Sequence, residues 1–249
     1  MESDGLNSYE EISFDPSYLN FKGLSKTAIK ETTKAINSAL DKVRGIRVLL
    51  SGPSGTGKTA WAHYLAQQHD LGIMHIKCSD VLGKYVGESE QNLAGIFIEA
   101  QRDNKLILFD EVDSLLSRRE SASSHHEVQL TNELLTLLEG SQQPVFAATN
   151  SFEAIDKAVL RRFDFKLECD YLTSIQAASL YKHVLSIEQL TAIEIQAFRA
   201  MSRLTAGDFA ILSRKKELYP SNNFRNKAIA ILQQENRYKP QTKPVGFIH

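Results

Sequence analysis

The chain has 249 residues, 42% of them hydrophobic, 24% charged and only 6 proline; this composition suits one large globular domain, or a domain with a small companion, and excludes widespread disorder. The formal net charge of −1, with no basic block, leaves no electrostatic footprint for nucleic acid, so no nucleic-acid partner is expected. No apolar run approaches the roughly 18 to 20 residues of a membrane span, and the acidic start "MESDGLNSYEEISFDPSYLN" is unlike a secretory signal; a cytoplasmic location is expected.

Residues 1–24, which include Pro16 and Gly23, carry no clean periodicity and are expected as an N-terminal arm. "SKTAIKETTKAINSALDKVR" (25–44) spaces Ala28, Ile29, Ala35, Ile36, Leu40 and Val43 as a helix does. "IRVLLS" (46–51) is a short apolar run ending at a glycine and predicts a buried strand. "TAWAHYLAQQH" (59–69) predicts a helix, "IMHIK" (73–77) a strand, "EQNLAGIFIEAQRD" (90–103) a helix and "KLILFD" (105–110) a strand. "HEVQLTNELLTLLEG" (126–140) predicts a helix closed by Gly140, followed by strands at "PVFAAT" (144–149) and "DFKLEC" (164–169). Short apolar strands alternating with helices indicate right-handed βαβ units and a parallel sheet covered on both faces.

After about residue 172 the strand patterns stop. "TSIQAASLYKHVLS", "EQLTAIEIQAFRAMSR", "AGDFAILSRKKELY" and "NNFRNKAIAILQQENR" all read as helices. The fold class expected is therefore α/β, a five-stranded parallel sheet sandwiched by helices, followed by a small all-helical unit. Boundaries are set at 1–24 for the arm, 25–172 for the α/β domain and 173–249 for the helical one. Cys78 and Cys169 show neither a CxxC spacing nor a ligand cluster and read as two reduced thiols.

Chemistry concentrates at "GPSGTGKT" (52–59), which fits the phosphate-binding pattern GxxxxGK[ST] and sits directly after a strand and before a helix. Gly52, Pro53, Ser54, Gly55, Thr56 and Gly57 would form a loop whose backbone N–H groups close around phosphates, aided by the positive end of the helix dipole. Lys58 would reach the β- and γ-phosphates, and the Thr59 hydroxyl would ligate Mg²⁺. The strand "LILFDE" (106–111) ends in Asp110, placed to hold that Mg²⁺, and Glu111, placed to act as general base on a water. Asn150, at the end of "AATN", would emerge near the γ-phosphate, although an asparagine after a strand is otherwise a turn or cap residue. Arg161 and Arg162 in "VLRRFD" would be ordinary surface charge but for one consideration. Phosphoryl transfer gains roughly 10³ to 10⁵ in rate from an arginine at its transition state, and in a ring that arginine can come from a neighbour.

"GPSGTGKT", "KYVGESEQN", "LILFDEVDSLL", "AATN" and "VLRRFDF" occur in an order and spacing that resemble the AAA+ ATPases. The wording is most similar to the AAA subgroup that includes katanin, spastin and the membrane-bound AAA proteases, over about residues 45 to 215. The resemblance implies a P-loop NTPase fold with a helical lid, ATP and Mg²⁺ as cofactors, and a homo-oligomeric ring, usually of six subunits. It implies Asn150 as the sensor of the γ-phosphate, and Arg161 and Arg162 as fingers acting in trans. Lys84, Tyr85, Val86 and Gly87 match the loop that lines the central pore and grips a polypeptide; an aromatic face beside an aliphatic chain binds peptide without reading its sequence. "LTAGDFAIL" (204–212) resembles the subgroup's "GAD" segment, which brings Ala206 and Gly207 near the adenine.

Some features depart from the pattern. The proteases' zinc motif HExxH is not matched by "HHEVQ" (125–129), so His125 and His126 are expected on a loop before a helix, without metal. A second arginine sensor, the proline-rich ending after "LRRFD" and a substrate-recruiting N-terminal domain have no match either. The function expected is an Mg²⁺-dependent ATPase that remodels, unfolds or disassembles a protein substrate. The alternatives are an ATP-controlled assembly switch or scaffold, and a nucleic-acid-associated motor, which the near-neutral charge disfavours.

Overall fold

Val48, Leu49 and Leu50 are wholly buried because their strand, β1 (Arg47–Ser51), runs with neighbours on both edges and helices over both faces. The computed structural model describes residues 14–42, 45–81, 87–116, 125–219 and 223–239. The other strands are β2 (Gly72–Lys77), β3 (Lys105–Asp110), β4 (Val145–Thr149) and β5 (Phe165–Glu168). They form one five-stranded sheet in the order β2-β3-β4-β1-β5, every pair parallel. In register, Leu49 stands opposite Ala147 on one side and Lys166 on the other.

The period of two along the strands sorts side chains between two cores. Leu49, Ile107, Phe109, Val145 and Ala147 face α4 (Glu88–Arg102) and α6 (His125–Gly140), meeting Leu93, Phe97, Leu134 and Leu138. Val48, Leu50, Leu106, Leu108 and Phe146 face α1 (Lys26–Asp41) and α2 (Lys58–Gln68), where Ile36, Leu40, Trp61 and Leu65 close the layer. A third core, with Leu180, Tyr181, Phe198, Phe209, Leu212 and Leu232, is built by α8 (Ser174–Leu185), α9 (Ala192–Ala200), α10 (Ala206–Leu218) and α11 (Phe224–Tyr238). The parallel five-stranded sheet followed by a helical region is the fold class the sequence predicts. Among the described residues no helix is long and apolar enough to cross a membrane.

The predicted elements are found, with shifted ends. The helix expected over 188–203 is only α9, because Thr191 and Glu194 form a capping box that starts it late. The helix expected from 90 begins at Glu88, with Gly87 at φ 84 as its cap residue. The helix expected from 126 begins at His125, so His125 and His126 occupy the first turn of α6 and not a preceding loop. Three four-residue helices, α3 (Cys78–Val81), α5 (Asp113–Leu116) and α7 (Lys157–Leu160), have no counterpart in the sequence reading, since one turn is too short to show a period.

Residues 14–24, expected within an arm, are seated on the body. Phe21 is buried against the Trp61 ring, centroids 5.5 Å apart, and pairs with Cys169 in an antiparallel bridge. Lys22 N donates to Glu168 O at 2.8 Å and Asp170 N to Asn20 O at 2.7 Å.

Candidate functional site

β3, β4 and β1 are adjacent, and their carboxyl ends deliver Asp110, Asn150 and the glycine loop to one place, the edge at which open α/β sheets bind ligands. The loop leaves β1 at Gly52, whose φ is 130; a Cβ there would lie 2.1 Å from the Cys169 carbonyl oxygen, so only glycine fits. Gly57, at φ 94, turns the chain into α2, and Thr56 Oγ1 donates to Pro53 O at 2.8 Å inside the loop. Lys58, the first residue of α2, is buried, and its Nζ donates to Gly52 O (2.7 Å), Pro53 O (2.9 Å) and Asn150 Oδ1 (2.8 Å). Burial lowers its pKa, while Cys169, Asp110 and Asp113 oppose the shift. The Cys169 thiol behind the loop is pushed up to about 12 by burial, which keeps it protonated and inert.

Thr59 Oγ1 donates to Asp110 Oδ2 at 3.0 Å, and His75 Nε2 lies 3.4 Å from the same oxygen. Asp110 Oδ1 accepts the Glu111 backbone N–H at 3.0 Å. Glu111 is exposed and held at φ 55, a left-handed conformation that is strained for a residue with a Cβ and typical of functional positions. The turn is fixed from behind: Val112 N donates to Ala148 O (3.0 Å), Thr149 Oγ1 to Asp113 Oδ1 (2.7 Å) and Ser151 N to Thr149 Oγ1 (2.9 Å). These bonds tie the end of β3 to the end of β4 and set the position of Asn150 between them.

A cleft of about 440 Å³ opens over these groups. Its polar lining comes from Ser54, Gly55, Thr56, Gly57, Lys58 and Thr59 with Asp110, Glu111 and Asn150. Its apolar lining comes from Phe14, Tyr18, Leu19, Leu180, Ala206 and Ala210, with Asp15 and Gly207 beside them. Gly207 N donates to Gly55 O at 2.9 Å, and a Cβ on Gly207 would come within 3.0 Å of the Gly55 Cα. The absence of a side chain therefore lets α10 touch the loop.

The cleft thus gathers Lys58, Thr59, Asp110, Glu111, Asn150, Ala206 and Gly207 in one chain. Arg161 and Arg162 are exposed and do not line it; Arg162 Nε lies 2.5 Å from Glu139 Oε1. Lys84, Tyr85 and Val86 lie outside the described residues, and Gly87 stands at the start of α4. The sequence reading missed Phe14, Asp15, Tyr18, Leu19, Leu180, Ala210 and the His75 contact. Three aromatics within eight residues, Phe14, Tyr18 and Phe21, were the available signal that the segment is covered. No group of three His, Cys, Asp or Glu able to hold a metal occurs among the described residues.

The model of the ATPase family associated with various cellular activities (AAA) matches residues 48–171. Protein CdcH of Halobacterium salinarum is 41% identical over 128 residues, which cover 49% of this chain and 17% of CdcH. Protein SAV of Sulfolobus acidocaldarius is 31% identical over 194 residues, 74% of this chain and 25% of that protein. Spastin of Drosophila erecta is 31% identical over 185 residues, 70% of this chain and 24% of spastin. The chain spans a quarter or less of the length of these curated relatives.

Proposed function

Since the chain belongs to the AAA ATPase family, we propose that the cleft binds ATP with Mg²⁺ and hydrolyses it, and that a ring of this chain uses the cycle to remodel a protein. One observation carries the reading: the Lys58 ammonium, the Thr59–Asp110 pair and Asn150 converge on a glycine loop whose Gly52 leaves no room for a side chain. The oxygen donors of Thr59 and Asp110, 3.0 Å apart, are the hard ligands Mg²⁺ prefers. When bound there, Mg²⁺ would neutralise charge on the β- and γ-phosphate oxygens. Lys58 pairs with the same phosphates, backbone N–H groups of the loop cradle them, and the apolar lining, Ala206 and Leu180 included, takes the base. Glu111 holds a water and accepts its proton as the water oxygen bonds to the γ-phosphorus and the bond to ADP breaks. Asn150 orients that water.

Residues 25–172 act in this reading as the nucleotide-binding unit and 173–249 as its lid. Arg161 and Arg162, exposed and outside the cleft of their own chain, serve the nucleotide of the neighbouring subunit in a hexamer. Lys84, Tyr85, Val86 and Gly87 supply the grip on the substrate polypeptide. The decisive experiment is Glu111→Gln. ATP should still bind and the assembled ring should persist under electron microscopy, while phosphate release falls by at least about a hundredfold. Turnover at the wild-type rate would remove Glu111 from the base role. Tyr85→Ala separates remodelling from a switch: basal ATPase retained with remodelling lost supports the grip, and no effect on any partner activity favours the switch.

A further inference from the structure

The last described residue of the chain, Lys239, folds back onto the α10 turn that touches the glycine loop. Its Nζ donates to Asp208 Oδ2 and, at 3.1 Å, to Thr205 Oγ1, and lies 5.7 Å from the centroid of the Tyr171 ring. Asp208 is buried, and the same Oδ2 accepts the Thr205 backbone N–H at 2.7 Å and the Thr205 hydroxyl at 3.2 Å. Around this pair Arg203 Nη1 donates to Lys239 O (3.2 Å), and Arg203 N to Asn236 Oδ1 (2.9 Å). The end of α11 is therefore fastened to residues 203–208 through both side chain and backbone. Within that stretch, Gly207 N bonds Gly55 O at 2.9 Å, and Thr205 Oγ1 would meet a Cβ on Gly55 at 2.8 Å.

We infer that Lys239 is a positioning residue for nucleotide binding: by holding Asp208 and Thr205 it presses the first turn of α10 against the glycine loop. Asp208 alone would be a buried carboxylate answered only by its own helix start. With Lys239 the charge is compensated, and the turn carrying Ala206 and Gly207 has one fixed place at the wall of the cleft. This inference rests on the nucleotide-binding reading of that cleft. The residue touches neither the phosphate loop nor Asp110, Glu111 or Asn150, so its effect falls on nucleotide seating and not on the chemical step.

The test uses the whole chain and N-methylanthraniloyl-ADP as the probe. Lys239→Met keeps the stem and removes the ammonium; its Kd should rise about tenfold, the order expected for loss of a charge-assisted hydrogen bond. KM for ATP should rise in parallel while kcat changes by less than about twofold, and Lys239→Arg should restore both. Without nucleotide, the Gly207 amide should exchange with solvent about tenfold faster in Lys239→Met than in the wild type. If that variant fails to fold, Asp208→Asn/Lys239→Met removes the stranded carboxylate as well and should show the same rise in Kd. A Kd within about twofold of wild type, with only the melting temperature lowered, overturns the inference. A wild-type chain that does not bind the probe overturns the nucleotide reading instead, and the Gly207 exchange rate then still decides whether Lys239 holds the turn.

Discussion

Glu194, in the first turn of α9, accepts the Arg225 guanidinium on both carboxylate oxygens, at 2.8 and 2.6 Å. Thr191 N (2.7 Å), Thr191 Oγ1 (3.0 Å) and the Tyr181 hydroxyl (3.1 Å) donate to it as well. Arg225 chiefly, with Thr191 and Tyr181, holds the buried carboxyl down to about 2 from 4.5 against the opposing effect of burial. Burial and the facing carboxylate push the Tyr181 hydroxyl up in turn. A carboxyl with a depressed folded value stabilises the fold fully above its unfolded value and loses that contribution as pH falls toward the folded one. Ionised Glu194 should thus contribute about 3 kcal/mol above pH 4.5, lost progressively between there and about pH 2. Acid unfolding followed by near-ultraviolet circular dichroism should show Glu194→Gln less stable than wild type at pH 7, with the difference closing toward pH 2. A constant difference across that range would mean the carboxyl is not held low.

At the scale of elements, the segment from Phe14 to Lys22 does two jobs with one set of contacts. Phe21 anchors it under Trp61, Gln176 Nε2 donates to Ser17 O at 3.0 Å, and Phe14, Tyr18 and Leu19 then line the cleft. Phe21→Ala should cost about 3 kcal/mol from the lost ring and cavity, and lower the melting temperature by roughly 6–12 °C for a chain of this size. Because the same segment walls the cleft, ATP affinity should fall with it. Calorimetry and nucleotide titration of one sample would check both, and intact affinity would detach the segment from the site. Its clustered aromatics signalled that the segment is covered but not by what, since Phe21 reaches Cys169 and Trp61 across long chain separations. By contrast β1, β3 and β4 were legible, because strands buried on both faces are unbroken apolar runs. Lys58, Thr59 and Asp110 were legible for a related reason: their place is dictated by the end of such a strand. The family resemblance brought Ala206 and Gly207 to the cleft, but their contact with Gly55 was not foreseen, since no period or spacing within the chain encodes it.

For the whole molecule, the distribution of charge around the cleft raises the question of assembly. The cleft of a single chain holds Lys58 but neither Arg161 nor Arg162, and Arg162 is engaged by Glu139 on its own surface. If Arg161 serves a neighbour, two damaged chains can repair each other. Arg161→Ala and Lys58→Ala should each lose at least about a hundredfold in turnover. Mixed in equal amounts they should regain a measurable part of it, since an intact loop then faces an intact arginine across some interfaces. A phosphate-release assay of the mixture reads the outcome directly. Silence in the mixture would place the arginine's action within one chain or outside catalysis.

The Lys58 ammonium has three N–H bonds, and the structure gives each an oxygen: Gly52 O, Pro53 O and Asn150 Oδ1. A phosphate that recruits this lysine must therefore displace one of them. Both carbonyls belong to the loop backbone, whereas the Asn150 amide sits on a rotatable side chain and is the partner free to leave. Arrival of the nucleotide and release of Asn150 then become a single exchange. On the role proposed for Asn150, the group that would orient the water stays occupied by Lys58 until a phosphate arrives. The side-chain amide resonances of Asn150 report that exchange: they should shift on adding ATP to the wild type, and an unchanged spectrum at saturation would show that the lysine never lets go.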